Sequence, residues 1–134
     1  MSRRNVSSGS YLEPQIGFSR AVRIGDIIAV GGTAPISAGG GTDCIGDVYG
    51  QTKRCLEIAL NALSDAGAGP EDVIRTRILL TDVTTWQEAA RAHAETFTDI
   101  RPATTVMEVS GFVDPDWLVE IELDAIAVTA VKKD

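Results

Sequence analysis

A chain of 134 residues, 44% hydrophobic and 23% charged, has the length of one domain and the composition of an ordinary globular protein. Nineteen acidic against twelve basic side chains leave a net charge of −7, which argues against a nucleic-acid partner, because phosphate binding draws on clustered Lys and Arg. No apolar run approaches the roughly 20 residues of a membrane helix, and no apolar signal core follows the basic start Met1-Ser2-Arg3-Arg4, so a cytoplasmic address without a membrane partner is expected.

Residues 1–16 carry no periodic pattern, and Ser7-Ser8-Gly9-Ser10 reads as loop. Residues 18–24 alternate, with Phe18, Arg20, Val22 and Ile24 on one side and Ser19, Ala21 and Arg23 on the other. Gly25-Asp26 is a turn cue and residues 27–32 follow as a second strand, so the pair predicts a hairpin. Residues 37–42 form a glycine-rich loop with neither GxGxxG nor Gly-Lys-Ser/Thr, and no nucleotide cofactor is expected there. Residues 47–66 give the strongest helix. Val48, Thr52, Cys55, Leu56, Ala59, Leu63 and Ala66 recur at spacings of three and four, Asp47 suits the N-cap and Gly67 the stop. Cys55 on that stripe reads as a small core residue. With Cys44 it matches no metal-ligand spacing, and a disulfide is not expected in a reducing compartment.

Residues 73–80 predict a strand with Ile74, Thr76, Ile78 and Leu80 on one face and Arg75 and Arg77 on the other. A capping box, Thr84 with Gln87 or Thr85 with Glu88, opens a second helix whose apolar stripe is Trp86, Ala90, His93 and Phe97. His93 is the only histidine. Its place on the stripe favours a core or interface role, since no Ser, Cys or metal-ligand set accompanies it. Two strands close the chain, at 101–109 and 117–128. The last puts Val119, Ile121, Leu123, Ala125 and Ala127 on one face and Glu120, Glu122 and Asp124 on the other. Three carboxylates on one face cannot be buried dry. They meet water, cations or a site, and Arg75 or Arg77 is the expected partner of Glu122 or Asp124. The element order predicts an α+β layer, a mixed sheet of about five or six strands with two helices on one face. The face left open calls for a cyclic oligomer.

The closing stretch Pro102-Ala103-Thr104-Thr105, a turn, then Val119-Glu120-Ile121-Glu122 with Ala125-Ile126-Ala127 resembles the end signature of the Rid family of reactive intermediate deaminases, also labelled endoribonuclease L-PSP. Gly17-Phe18-Ser19-Arg20-Ala21-Val22, then Val30-Gly31-Gly32-Thr33-Ala34-Pro35, then Gly46-Asp47-Val48 with Gln51-Thr52, then Leu80-Thr81-Asp82 are similar to further family motifs in the same order. The resemblance runs from about residue 17 to 128. It implies a chorismate-mutase-like fold, a homotrimer, and a small-molecule ligand in a cleft between subunits. It implies no metal and no cofactor.

In arginine-bearing members the reaction is hydrolysis of an enamine or imine. An arginine after Pro-Ala forks onto the substrate carboxylate, while a glutamate and a backbone carbonyl place water. Glu120 stands at the glutamate position. Thr104 stands at the arginine position, and a hydroxyl gives no bidentate charged grip. Ala90 stands where an asparagine is common, Phe18 replaces the site tyrosine, and the segment 111–117 is one residue longer. The resemblance thus implies Glu120 and Thr104 as the catalytic positions and Phe18, Ser19, Gly32, Thr104, Thr105 and Arg101 as ligand-binding ones, with Arg101 or Arg20 as substitutes for the missing charge. One reading is a small-molecule hydrolase with an altered substrate. The alternative is a non-catalytic ligand-binding or regulatory trimer. Glu120 fits a water-placing base or a solvated strand face, whereas Glu122 and Asp124 read as solvated or salt-bridged. A ribonuclease reading finds no acid–base pair of the usual kind.

Overall fold

A computed structural model of the chain describes residues 2–127, so Val128 at the end of the expected last strand lies outside the described residues. The elements are Arg3–Val6 (β1), Leu12–Ile16 (α1), Ala21–Ile24 (β2), Ile27–Thr33 (β3), Val48–Asp65 (α2), Val73–Leu80 (β4), Trp86–Phe97 (α3), Ala103–Glu108 (β5) and Val119–Ile126 (β6). The strands form one sheet in the order β1-β2-β3-β6-β4-β5. β4 and β5 are parallel and the other neighbours antiparallel. A parallel pair needs a crossover, which α3 supplies. α2 carries the chain from β3 to β4, past the slot that β6 fills last. This is the expected α+β architecture with a mixed sheet.

β6 alternates as its sequence predicts: Val119, Ile121, Leu123, Ala125 and Ala127 are buried, while Glu120, Glu122 and Asp124 are half-buried on the opposite face. The buried face meets α2, which contributes Val48, Thr52, Cys55, Leu56, Ala59 and Leu63 to the same core. Asp47 caps α2 by accepting from the Gly50 N–H at 3.0 Å. Gly67, with φ of 92°, takes the left-handed turn that stops it. On the open face Arg77 pairs with Glu122 at 3.1 Å and Asp124 at 3.7 Å. These half-exposed pairs contribute at most about 1 kcal/mol each.

Four local expectations are corrected. β1 and α1 fall in the segment that carries no periodic pattern. β1 is held by its ladder to β2, and α1 is a five-residue turn with Pro14 at its third position. β2 begins at Ala21, so Phe18 and Ser19 precede it. The β4–β6 ladder slips between Val73 and Arg75, and this bulge leaves Ile74 51% exposed while Val73 takes the core position. Neither capping box forms before α3. Asp82 instead accepts from the Thr84 N–H at 3.0 Å and caps a single 3-10 turn, and Thr85 donates to the Asp82 carbonyl at 2.7 Å. The helix that follows buries Ala89, Ala92 and Phe97 and leaves Trp86 48% exposed.

That rotation has a measurable consequence. Phe97→Ala is expected to cost about 3–5 kcal/mol of unfolding free energy, the scale for emptying a buried aromatic position. Trp86→Ala is expected to cost about 1 kcal/mol or less. Urea unfolding at fixed protein concentration checks both, and similar costs would return Trp86 to the core.

Candidate functional site

Glu120 leaves β6 on the face away from α2, with Leu79 of β4 opposite it in register. On its other side the β3–β6 ladder slips between Val30 and Thr33. A methyl group built at Gly32 would stand 2.7 Å from Glu120 Oε1. The carboxylate therefore lies against the β3 backbone because Gly32 has no side chain. Phe18, Arg20, Val113 and Trp117 join these two residues around a cavity of about 120 Å³. Gly17, with φ of 88°, turns the chain from α1 into Phe18.

Two polar side chains fix the walls. Gln51 of α2 is fully buried; its Oε1 accepts from the Leu118 N–H at 2.8 Å and its Nε2 donates to the Asp116 carbonyl at 2.9 Å. It ties the helix to the turn that precedes Glu120. The Trp117 indole N–H donates to Thr42 Oγ1 at 3.1 Å, linking that turn to the loop before α2.

Arg20 is 4% exposed. Its Nη1 donates to the Gly32 carbonyl at 2.6 Å and to Thr33 Oγ1 at 3.2 Å, its Nε donates to Ser8 Oγ at 3.2 Å, and its guanidinium lies 5.1 Å from the Phe18 ring centre. Burial lowers its pKa, and the charges of Glu13 and Glu120 oppose that. Burial pushes the Glu120 carboxyl above its ordinary value; Arg20 pulls it down and Glu122 adds to the rise. Burial also works to raise Glu13, but hydrogen bonds from Ser7, Ser8 and Ser10 together outweigh it and leave that carboxyl lowered.

Thr104 stands elsewhere. On β5 it pairs in register with Thr76 of β4, on the face toward α3. Thr76 Oγ1 lies 2.8 Å from both Thr104 Oγ1 and His93 Nε2, and Thr104 donates to the Pro102 carbonyl at 3.0 Å. Burial lowers the His93 pKa, and its ring packs 4.7 Å from Phe97. Thr105 faces the open side in register with Arg77. Arg101, with φ of 57°, donates to the Thr98 carbonyl and borders a different hollow with His93 and Pro102. Ser19 accepts from Asn5 Nδ2 at 2.9 Å and so turns to β1.

The chain thus assembles Phe18, Gly32 and Glu120, adds Arg20, and leaves Thr104, Thr105 and Arg101 two strands away on the β5 edge. Gly32 and Thr104 do not line one pocket within a single chain, because β4 intervenes and the Glu120 and Thr104 side chains leave opposite faces. Cys55 is a core residue; burial raises its thiol well above the ordinary value. Cys44 is exposed, and both thiols are free. Among the described residues no group of three or more His, Cys, Asp or Glu could hold a metal ion, and no helix is long and apolar enough to cross a membrane.

The raised Glu120 carboxyl sets a sign for stability. A group whose pKa rises on folding contributes its stability below the unfolded value and loses it as pH climbs through the folded one. Glu120→Gln removes that loss. Its stability relative to wild type is expected to grow as pH rises above the ordinary carboxylate range and to level off below it, in urea unfolding at pH 4 through 8. The opposite slope would mean that Arg20 dominates the carboxylate.

The family model described as Endoribonuclease L-PSP matches residues 9–127. An uncharacterized protein of Streptomyces coelicolor is 42% identical over 125 residues, 91% of this chain and 90% of that one. The 3-aminoacrylate deaminase RutC of Acinetobacter baylyi is 34% identical over 101 residues, 75% of this chain and 79% of that one. The crystal structure of Rv2704 from Mycobacterium tuberculosis, a member of the YjgF/YER057c/UK114 family, matches with a TM-score of 0.85 at 44% identity, over 94% of this chain and all of that one (100%). With the matched model spanning residues 9–127, the chain belongs to the endoribonuclease L-PSP family, the Rid family that its closing motif resembles.

Proposed function

We propose that the protein hydrolyses a carbon–nitrogen bond of a small enamine or imine, with a substrate range altered by Thr104 at the arginine position. The observation that carries this is the Glu120 carboxylate, raised by burial and held against Gly32 beside an apolar-walled cavity. A carboxylate so placed takes a proton from water within hydrogen-bond reach, and a raised pKa makes it a better base near neutral pH. Hydroxide adds to the imine carbon and forms a carbinolamine. The proton held by Glu120 passes to nitrogen and completes the neutral carbinolamine; Glu120 then takes the hydroxyl proton and hands it to nitrogen as the C–N bond breaks, so that ammonia departs and the carbonyl product remains.

The relative named 3-aminoacrylate deaminase supplies the reaction class; the missing fork shifts the substrate. Thr104 already donates its proton to Pro102. Arg20 lines the Glu120 cavity, but its Nε and Nη1 are engaged, so no two adjacent guanidinium nitrogens are open to fork onto a carboxylate. A single contact does not reproduce a bidentate grip. Phe18, Val113 and Trp117 favour a substrate with an apolar substituent and weaker dependence on a carboxylate.

We further propose a trimer that completes the site. Ile24, Ile27 and Ile126 are neighbours in register on the open face and all are exposed. Every residue of the β5 edge is exposed as well. An open apolar face and an unpaired edge are surfaces that a cyclic assembly covers. The β5 edge of one subunit, with Thr104 and Thr105, then meets the Glu120 cavity of the next. No nucleic acid has a place in this reading, given the charge of −7.

Sedimentation is expected to give three chains per particle, and Ile27→Asp to give monomers. A wild-type monomer at micromolar concentration would remove the shared cleft. Turnover of imines generated in situ is expected to favour apolar side chains. Activity on 2-iminopropionate should lie at least about tenfold below that of an arginine-bearing relative, since charge-assisted hydrogen bonds contribute roughly 1.5–3 kcal/mol. Glu120→Gln should cut turnover roughly a hundredfold, and Glu122→Gln should leave it nearly unchanged. Equal turnover by wild type and Glu120→Gln would favour the ligand-binding trimer.

A further inference from the structure

Arg20 separates the Glu120 cavity from a second and larger one, about 210 Å³, enclosed by the loop at 8–11, the loop at 33–40 and α2. The hydrogen-bond inventory of this second cavity is one-sided. Arg20 Nη2 has no hydrogen-bond partner among the described residues, though the side chain is almost wholly buried. No buried side-chain nitrogen or oxygen lacks a partner among them. Nη2 must therefore reach open space, and the cavities that Arg20 lines provide it. Arg54 of α2 enters the same cavity. Its Nε donates to the Ile36 carbonyl at 2.7 Å and its Nη1 to Glu57 at 2.6 Å, which leaves its Nη2 unengaged as well.

The hydroxyls add to this. Ser10 Oγ accepts from the Leu12 N–H and keeps its own proton, and Ser37 Oγ makes no hydrogen bond among the described residues. Three of the nearby acceptors are used. The Ala34 carbonyl accepts from Ile36 N, the Ser37 carbonyl from Gly40 N, and the Ile36 carbonyl from Arg54. Glu13 Oε2 accepts from the Ser8 and Ser10 N–H groups, and no Asp or Glu lines the cavity. In a chain of net charge −7 the cavity presents two guanidiniums, free hydroxyls and no carboxylate. Ile36 and Ile58 give it an apolar wall.

We propose that this cavity binds a small organic oxyanion, a carboxylate or phosphate with a short hydrocarbon body, held by Arg20 and Arg54 and capped by the Ser10 and Ser37 hydroxyls. Planar guanidiniums with unengaged N–H groups match oxyanion geometry. The volume is below the roughly 300–1,000 Å³ of pockets for drug-sized ligands, which restricts the guest to a few carbons. The site adjoins the Glu120 cavity and shares Ser10, Arg20, Ala34 and Ile36 with it, but its proposal does not rest on any reaction there. Arg20 links the two, because the nitrogen beside Nη2 holds the Gly32 carbonyl.

Amide chemical-shift titrations of the full chain test this with four probes: butyrate, inorganic phosphate, butylamine and butanol. Saturable shifts at Gly9, Ser37, Gly40 and Arg54 are expected with butyrate, phosphate or both, and with neither butylamine nor butanol. Saturation by one anion alone assigns the head group. Arg54→Gln is expected to weaken binding roughly tenfold or more, the scale of one charge-assisted hydrogen bond. Ser37→Asp, which sets a carboxylate at the mouth, should do the same and serves where Arg54→Gln disturbs the fold. Neither residue borders the Glu120 cavity, so turnover at Glu120 is a separate readout. Saturation by neither anion, equal binding of butylamine, or unchanged affinity in both variants would overturn the proposal.

Discussion

The structure depends on β6 having two incompatible faces. One face supplies the apolar row that closes the core against α2, and the other carries three carboxylates. A one-residue slip of this strand would drive Glu120, Glu122 and Asp124 into the core, where unpaired charge is costly enough to forbid the register. β6 is flanked by β3 and β4, so its register also sets theirs. Arg77 answers two of the acids on the open face. Among the described residues Glu120 has no such ion pair; it sits half-buried between Leu79 and Gly32, with Arg20 as a nearby charge. The same alternation that specifies the fold thus delivers one carboxylate to a poorly solvated position.

Much of the fold is legible in the chain because periodicity is strong where burial is one-sided. α2, β4 and β6 fall where spacing puts them, and the Asp47 cap and Gly67 stop are used as their chemistry suggests. What is not legible has particular causes. β1 has one buried residue and three exposed polar ones, so its ladder to β2 leaves no pattern. The bulge at Ile74 lies in a run of β-branched and apolar residues in which Val73 and Ile74 are equally plausible core groups. Trp86 weighs heavily in any reading of hydrophobic spacing, yet the Asp82-capped turn rotates α3 so that small alanines face inward.

The candidate site is legible to a different depth. Phe18, Gly32 and Glu120 come from motif positions and do meet. Arg20 stands in sequence as an alternating strand residue and as a substitute for the missing charge; the fold adds that its guanidinium is buried and braces a carbonyl beside Glu120. Gln51 reads as the polar half of Gln51-Thr52; its burial under the turn before β6 is tertiary information. The separation of Thr104 from Glu120 could not be read from the chain, because it depends on β6 entering between β3 and β4 and on the pairing register of β5.

The hydroxyl pair at positions 76 and 104 has a consequence for the neighbouring imidazole. Each threonine has a single proton to give. In the arrangement where Thr104 gives its proton to the Pro102 carbonyl, the Thr76 proton goes to Thr104. Thr76 can then meet His93 only as an acceptor, which requires the imidazole proton to sit on Nε2. In that arrangement the residue at the arginine position of the family motif is coupled to the tautomer of the chain's one histidine, through a buried threonine and across two strands and a helix.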